Sequence, residues 1–100
     1  MSDRDLAFLA TLEGVIQDRL ENPDGKSYTA SLAASGRQRI AQKVGEEAVE
    51  LALASVADSP EEVIDEAADL VYHLLVLLQA QDLDLGRVVE RLRERHADTQ

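Results

Sequence analysis

The sequence predicts an all-α fold in which residues 1–100 form one domain, a helical bundle of four main helices plus a short one. Good helix formers such as Leu, Ala, Glu, Gln and Arg dominate the chain, whereas its five glycines and two prolines are few and fall at apparent breaks. Apolar residues also recur at the spacing of a helix face. Because 45% of the residues are apolar but only one Phe and two Tyr are present, we expect an aliphatic core.

The composition also limits the possible partners. Twenty acidic and ten basic side chains give a formal charge of −10, which argues against nucleic acid, because affinity for phosphates depends largely on Lys and Arg. A small phosphorylated ligand stays compatible, since a bound metal can meet its charge. The absence of cysteine excludes disulfide and thiol chemistry. No stretch resembles a signal peptide or a membrane span, so we expect a soluble protein with no membrane partner.

The first half of the chain begins with an amphipathic helix, predicted from Ser2 to Leu20. A polar turn follows at residues 22–25, and Ser27 or Thr29 then caps a short helix that ends before Gly36. Residues 26–32 gather a cation, three hydroxyl groups and a phenol in an otherwise acidic chain. Capping explains one or two of the hydroxyls, and a loop that contacts phosphate or sugar is the alternative; composition leaves both open.

Two long helices are predicted next, over residues 37–57 and 60–81. Pro60 suits a first helical turn, and Ser59 is predicted to form a Ser-x-x-Glu capping box with Glu62. So short a connection implies that the two helices are antiparallel neighbours. The inner side of the first is predicted to carry Ile40, Val44, Ala48, Leu51 and Leu53 or Val56.

The second of these helices is apolar almost all round from Ala67 onward, and a helix of that kind must be surrounded. A short chain supplies little material for this, so we expect a second copy to cover the exposed face, which predicts a homodimer or a higher homo-oligomer. Asp84 is predicted to cap a last helix over residues 85–96. Its inward side chains are expected to be Leu85, Val88, Val89 and Leu92.

Two acidic groups, Glu46-Glu47-x-x-Glu50 and Glu66-x-x-Asp69, lie on either side of the break between the long helices. In an antiparallel pair that turns near residue 58, Glu50 is level with Glu66. Glu47 is likewise level with Asp69, and spacings of three and four residues share a helix face. A solvated acidic face is the simplest interpretation of such a charge run. Adjoining apolar residues favour partial burial instead, and buried carboxylates need a counter-ion.

Carboxylate oxygens suit Mg²⁺, Mn²⁺ or Ca²⁺ as ligands. A site of this kind is a candidate for phosphoanhydride hydrolysis, in which the metal shields phosphate charge and an unligated carboxylate serves as general base. A di-iron site needs Glu-x-x-His on two helices, but Leu70 and Arg93 stand three residues before the two histidines. The EF-hand loop and the glycine-rich phosphate loop are both absent from the sequence.

The acidic signature resembles that of the all-α nucleoside triphosphate pyrophosphohydrolases, the MazG-like superfamily. Three segments narrow the resemblance: KSYTASL at residues 26–32, KVGEEA at residues 43–48 and AADLVYHLL at residues 67–75. Together they are similar to the phosphoribosyl-ATP pyrophosphohydrolases of histidine biosynthesis, over about residues 6–96.

The resemblance implies a cytoplasmic, dimeric helical enzyme that uses Mg²⁺ to hydrolyse phosphoribosyl-ATP to phosphoribosyl-AMP and pyrophosphate. It implies a catalytic pair, Glu46 and Glu47, in which Glu46 is a further metal ligand or the base. The implied metal ligands are Glu47, Glu50, Glu66 and Asp69. Phosphates and ribose would be contacted by Lys26, Tyr28, Thr29, Ser31 and Lys43.

Two alternatives stay open at this point. A house-cleaning pyrophosphatase of ordinary or modified (d)NTPs would use the same metal site with a different substrate loop. A non-catalytic acidic helical dimerisation module would have no metal-dependent activity at all.

Overall fold

The computed structural model of the protein describes residues 1–22, 27–57 and 59–97, which form five helices and no strand. The predicted all-α class, with four main helices and a short one, is confirmed. The helices are α1 (Asp3–Glu21), α2 (Tyr28–Ala34), α3 (Arg37–Val56), α4 (Pro60–Ala80) and α5 (Leu85–His96). Across these described ranges, none of the helices is both long and apolar enough to cross a bilayer.

Three helices begin at side chains that cap them. Ser2 accepts a hydrogen bond from the Asp5 backbone N–H at 3.1 Å, in a capping box that starts α1. Ser27 accepts one from the Ala30 N–H at 3.0 Å and starts α2. Asp84 accepts one from the Arg87 N–H at 3.0 Å and starts α5. Each cap satisfies a donor that the first helical turn leaves unpaired. Gly36 joins α2 to α3 with a φ of +99°, a conformation that favours glycine.

The capping box predicted for Ser59 and Glu62 is wrong. Ser59 occupies the N-cap position of α4, but its side chain makes no capping hydrogen bond with the described residues. Its ψ is 96°, whereas the side chains that do cap α1, α2 and α5 belong to residues with ψ between 152° and 167°. At this end of α4 the hydrogen bond of Ser59 is made by its backbone, whose carbonyl accepts from the Val63 N–H at 3.0 Å.

The core is aliphatic, as predicted, and draws on four helices. Its fully enclosed centre consists of Ile16, Leu32, Ile40, Leu75 and Val76. The α3–α4 pair shares the most extensive contact in the protein, and α1 packs against both α2 and α4. The α3–α4 pair therefore forms the frame on which the acidic residues are held.

The inner side of α3 matches the predicted one only in part. Ile40 is buried and Val44 and Leu51 are half-buried, but Ala48, Leu53 and Val56 are exposed. The buried residues of α3 are Ile40, Glu47 and Ala54. These three recur every seven residues, a spacing that keeps one seam of a helix against its neighbour. A prediction based on hydrophobicity misses this seam because a carboxylate, that of Glu47, occupies its middle position.

The inward face predicted for α5 is also wrong in part. Its start is held, because Glu13 of α1 accepts the Leu85 backbone N–H at 2.7 Å. Val89 and Leu92, however, are 45% and 49% exposed, and no α5 residue in the described chain is buried. The amphipathic pattern of α5 is real, but the rest of the chain covers only its first turn.

Candidate metal centre

Packing of α3 on α4 brings three carboxylates together at one point. One oxygen from each of Glu47, Glu66 and Asp69 lies within 4.8 Å of the other two. Glu47 is buried, Glu66 is half-buried and Asp69 is exposed. The group therefore opens from the seam between the two helices outward to solvent, so that a ligand can enter from one side.

Glu50 is exposed and lies beside this group of three rather than within it. Hydrogen bonding with Glu50 is the main reason that the pKa of Glu66 is raised from 4.5 to about 7. Burial adds to the shift, as do the negative charges of Glu50, Asp69 and Glu47. With a pKa of about 7, the Glu66 carboxyl is protonated over part of the neutral range, which relieves part of the repulsion among the acids.

Two oxygens of the cluster are both buried and unpaired. Oε2 of Glu47 and Oε2 of Glu66 are closed off from solvent and have no hydrogen-bond partner among the described residues. Buried carboxylate oxygens are normally paired, because leaving one unpaired in a dry site is costly. A set of converging carboxylate oxygens from residues that also carry buried, unpaired oxygens fits a hard divalent cation such as Mg²⁺ or Mn²⁺.

Glu46 lies beside this cluster and outside it. Its carboxylate accepts a hydrogen bond from Gln42 Nε2 at 3.1 Å and is 3.9 Å from Arg39 and 4.0 Å from Lys43. Its side chain is half exposed, in contrast to that of Glu47. The basic residues at the start of α3 are thus matched by acids one and two turns later.

Lys43 connects the acids to α2. Its Nζ lies 3.1 Å from Oε1 of Glu47, and this hydrogen bond is the main cause of a pKa above the ordinary lysine value. Partial burial works against the shift, while the nearby Tyr28 and Glu46 reinforce it. Lys43 is therefore a cation throughout the neutral range and lies where the acidic cluster meets α2.

The α2 residues predicted to contact substrate are placed differently from one another. Tyr28 is half exposed, and its OH lies 2.7 Å from Nε2 of His73 on α4. Thr29 is fully buried and its hydroxyl hydrogen-bonds with that of Tyr72, so it has no surface to offer a ligand. Ser31 is exposed one turn after Tyr28. Lys26 lies outside the described residues.

Tyr72 and His73 are two site residues that the sequence reasoning did not identify. The Tyr28, Tyr72 and His73 rings form one cluster, with centroids 5.6–6.5 Å apart. The available signal is that two residues with polar atoms interrupt the apolar run of residues 70–78. A buried ring with polar atoms needs partners, and Tyr28 and Thr29 supply them.

Comparison with known proteins provides evidence that is independent of the geometry of the site. The family model for phosphoribosyl-ATP pyrophosphohydrolase matches residues 9–96. A histidine biosynthesis bifunctional protein HisIE from Yersinia pestis is 58% identical over 92 residues, which cover 92% of this chain and 45% of that protein. Proteins of the same name from Escherichia coli O157:H7 and Vibrio cholerae are 57% and 54% identical, over 89% and 91% of this chain and 44% and 43% of theirs. The chain thus spans a little under half the length of these curated relatives.

Proposed function

This chain belongs to the phosphoribosyl-ATP pyrophosphohydrolase family, and from that premise we propose that it hydrolyses phosphoribosyl-ATP to phosphoribosyl-AMP and pyrophosphate in L-histidine biosynthesis. The observation that carries the proposal is the carboxylate cluster with its two buried, unpaired oxygens. A site in which several carboxylates meet only one lysine among the described residues is suited to a substrate that arrives with a divalent cation.

The residues that would hold Mg²⁺ are Glu47, Glu66 and Asp69, with Glu50 joining them once the proton of Glu66 is lost. When bound, the ion supplies positive charge to the phosphate oxygens and lowers the pKa of the attacking water. Mn²⁺ has the same preference for oxygen ligands and is the natural substitute.

The remaining charged residues have separate roles in this proposal. Glu46 is not part of the ligand cluster, so its carboxylate stays available to accept the proton of the attacking water. Lys43 carries a positive charge beside the cluster and donates hydrogen bonds to phosphate oxygens. It also holds Glu47 in place, which keeps the ligand oxygens close together before substrate arrives.

We further propose that the working form is a homodimer. The α3 and α4 surface beside the acids carries exposed apolar side chains, namely Val49, Leu53, Val56 and Ile64. Apolar surface of this kind is typical of a face that another protein covers. A second copy seated there would bury that surface and enclose the open side of the carboxylate cluster.

The decisive assay measures pyrophosphate release by the purified protein from phosphoribosyl-ATP and from a panel of ribo- and deoxyribonucleoside triphosphates, with Mg²⁺ and with a chelator. We expect turnover of phosphoribosyl-ATP that depends on Mg²⁺ and far exceeds turnover of the panel. The reverse preference would make the protein a (d)NTP pyrophosphatase with the same metal site. No turnover of any substrate, together with a melting temperature unaffected by Mg²⁺, would identify a non-catalytic module.

A further inference from the structure

The phenol of Tyr28 lies at the border between the carboxylate cluster and α2. Its side chain is 52% exposed, so a ligand can reach it. Its oxygen is 2.7 Å from Nε2 of His73, a residue that is buried in α4. The side chain of Lys43, on the neighbouring helix α3, is 23% exposed and lies within electrostatic range of Tyr28. Two polar groups that a substrate can touch therefore lie on adjacent helices at the edge of the carboxylate cluster.

The direction of the Tyr28 hydrogen bond follows from the other side of the imidazole. Nδ1 of His73 lies 2.7 Å from the backbone carbonyl of Asp69. A carbonyl can only accept, so Nδ1 carries the hydrogen, and in the neutral ring Nε2 is then an acceptor. The Tyr28 hydroxyl consequently donates to Nε2. The opposite direction would need a second hydrogen, and a positive charge, on a buried ring.

A phenol whose hydrogen is already engaged can offer a ligand only its oxygen lone pairs. We propose that Tyr28 is a specificity-determining residue that accepts a hydrogen bond from a ribose hydroxyl of the substrate, and that His73 is the positioning residue that sets this polarity. The inference rests on the proposed function for the identity of the substrate. It also gives different roles to Tyr28 and Lys43, which the sequence analysis assigned together to contacts with phosphates and ribose.

The chemistry of the substrate supports this separation. Ionised phosphate oxygens accept hydrogen bonds and cannot donate. They therefore cannot hydrogen-bond to the Tyr28 oxygen, because both atoms are acceptors. Lys43 can only donate, which makes it the complementary group for phosphate. The donors nearest to the phosphates of a nucleotide are its ribose hydroxyls. The Tyr28 and Lys43 pair therefore orients the substrate by recognising a hydroxyl at one position and a phosphate at the next.

The position of Tyr28 is set by contacts that do not involve a ligand. The next residue, Thr29, is fully buried and its hydroxyl bonds with that of Tyr72, so α2 is attached to α4 at two consecutive residues on each side. The Tyr28 and His73 rings meet edge to face at 5.6 Å. Tyr72→Phe supplies a structural control, because it removes one of the contacts that hold α2 on α4 but keeps the Tyr28 hydroxyl and its His73 partner.

The test compares kcat/KM for phosphoribosyl-ATP with kcat/KM for analogues that each lack one ribose hydroxyl. Wild-type protein and Tyr72→Phe are expected to prefer the parent over one of these analogues by roughly 3- to 10-fold, the effect of one hydrogen bond. In Tyr28→Phe that ratio falls to about one, through a higher KM for the parent alone. A Tyr28→Phe protein that slows all substrates equally and keeps the wild-type ratio would overturn the proposal.

A second variant tests the role of His73. His73→Leu keeps the Tyr28 hydroxyl but frees its hydrogen, so the ratio is expected to fall as it does in Tyr28→Phe. A folded His73→Leu protein, by circular dichroism, with the full wild-type ratio would overturn the assignment of His73. If that variant does not fold, Tyr28→Phe with its Tyr72→Phe control still decides the proposal.

The proposed function can fail independently of this inference. Absence of wild-type turnover of phosphoribosyl-ATP refutes the function. In that case kcat/KM for ATP is compared with kcat/KM for 2′-deoxy-ATP and for 3′-deoxy-ATP. A ratio that is the same in Tyr28→Phe as in the wild type refutes the role of Tyr28.

Discussion

Two polar clusters lie one helical turn apart on α4 and differ in how their atoms are paired. In the aromatic cluster, every side-chain polar atom of Tyr28, Thr29, Tyr72 and His73 has a partner within the described chain. In the carboxylate cluster, buried oxygens of Glu47 and Glu66 have none. A fully paired polar cluster holds helices in a definite arrangement, whereas an unpaired one is complete only when something binds. The comparison thus distinguishes a cluster that holds the helices and fixes the position of Tyr28 from one whose own atoms are paired only when a ligand is bound.

The largest effect is expected when the unpaired cluster loses a ligand oxygen. Asp69→Asn should reduce kcat/KM for phosphoribosyl-ATP by about 1,000-fold, within the range found for groups that assist proton transfer and charge stabilisation. Without metal the variant should be at least as stable as wild type, because one repelling charge is gone. Initial rates and thermal melts with a chelator check both statements. Glu61→Gln, an exposed carboxylate of α4, is the matched control and should retain activity.

Asp69→Asn with wild-type activity would show that the cluster is a solvated acidic face. In that event the contrast with the aromatic cluster would carry no functional meaning.

An intermediate effect is expected when the paired cluster is broken. Tyr72→Phe leaves the buried Thr29 hydroxyl without its partner, which should lower the free energy of unfolding by about 1–3 kcal/mol. Removing both hydroxyls, in Tyr72→Phe with Thr29→Val, should recover much of this loss, since no buried polar group is then left unpaired. Chemical denaturation of the wild type, the two single variants and the double variant measures the coupling. A double variant that is as unstable as the sum of the singles would contradict the pairing.

The smallest effect is a pH dependence of stability in the absence of metal. The pKa of Glu66 in the folded protein is about 7, above its ordinary 4.5, so the folded state binds this proton more tightly than the unfolded state does. Its contribution to stability is therefore complete below about pH 4.5 and is lost as the pH rises through about 7. We expect the stability of wild type relative to Glu66→Gln to fall over this interval in chelator, and added Mg²⁺ to oppose the fall above pH 7. A difference between the two proteins that does not vary with pH would contradict it.

The convergence of the acidic residues could be predicted from the sequence, because it follows from the number of residues between each of them and the break between the two helices. Helical periodicity and a break at residues 57–60 are enough to bring the two acidic groups near each other, and carboxylate oxygens of Glu47, Glu66 and Asp69 lie within 4.8 Å of one another. Burial could not be anticipated in the same way. Glu47 takes the middle place of a buried seam in α3, and a hydrophobicity pattern assigns that place to apolar residues.

The wrong predictions for the Ser59 cap and for the inward face of α5 have a common origin. Ser59 has the residue type of a cap, but its backbone ψ of 96° differs from that of the working caps. Leu92 has the residue type and spacing of a core position, but it is 49% exposed because no other described helix packs over that part of α5. In both cases the local signal is genuine, and the backbone path or the position of neighbouring helices determines whether it is used.

The sequence by itself determined the helical class, the approximate ends of the helices and the aliphatic core, because these follow from composition and from residues close together along the chain. Only the tertiary structure decided which carboxylate oxygens are buried without partners and which way the Tyr28 hydroxyl points. Those properties arise from contacts between α2, α3 and α4, where a rotation of one helix about its axis exchanges a buried side chain for an exposed one.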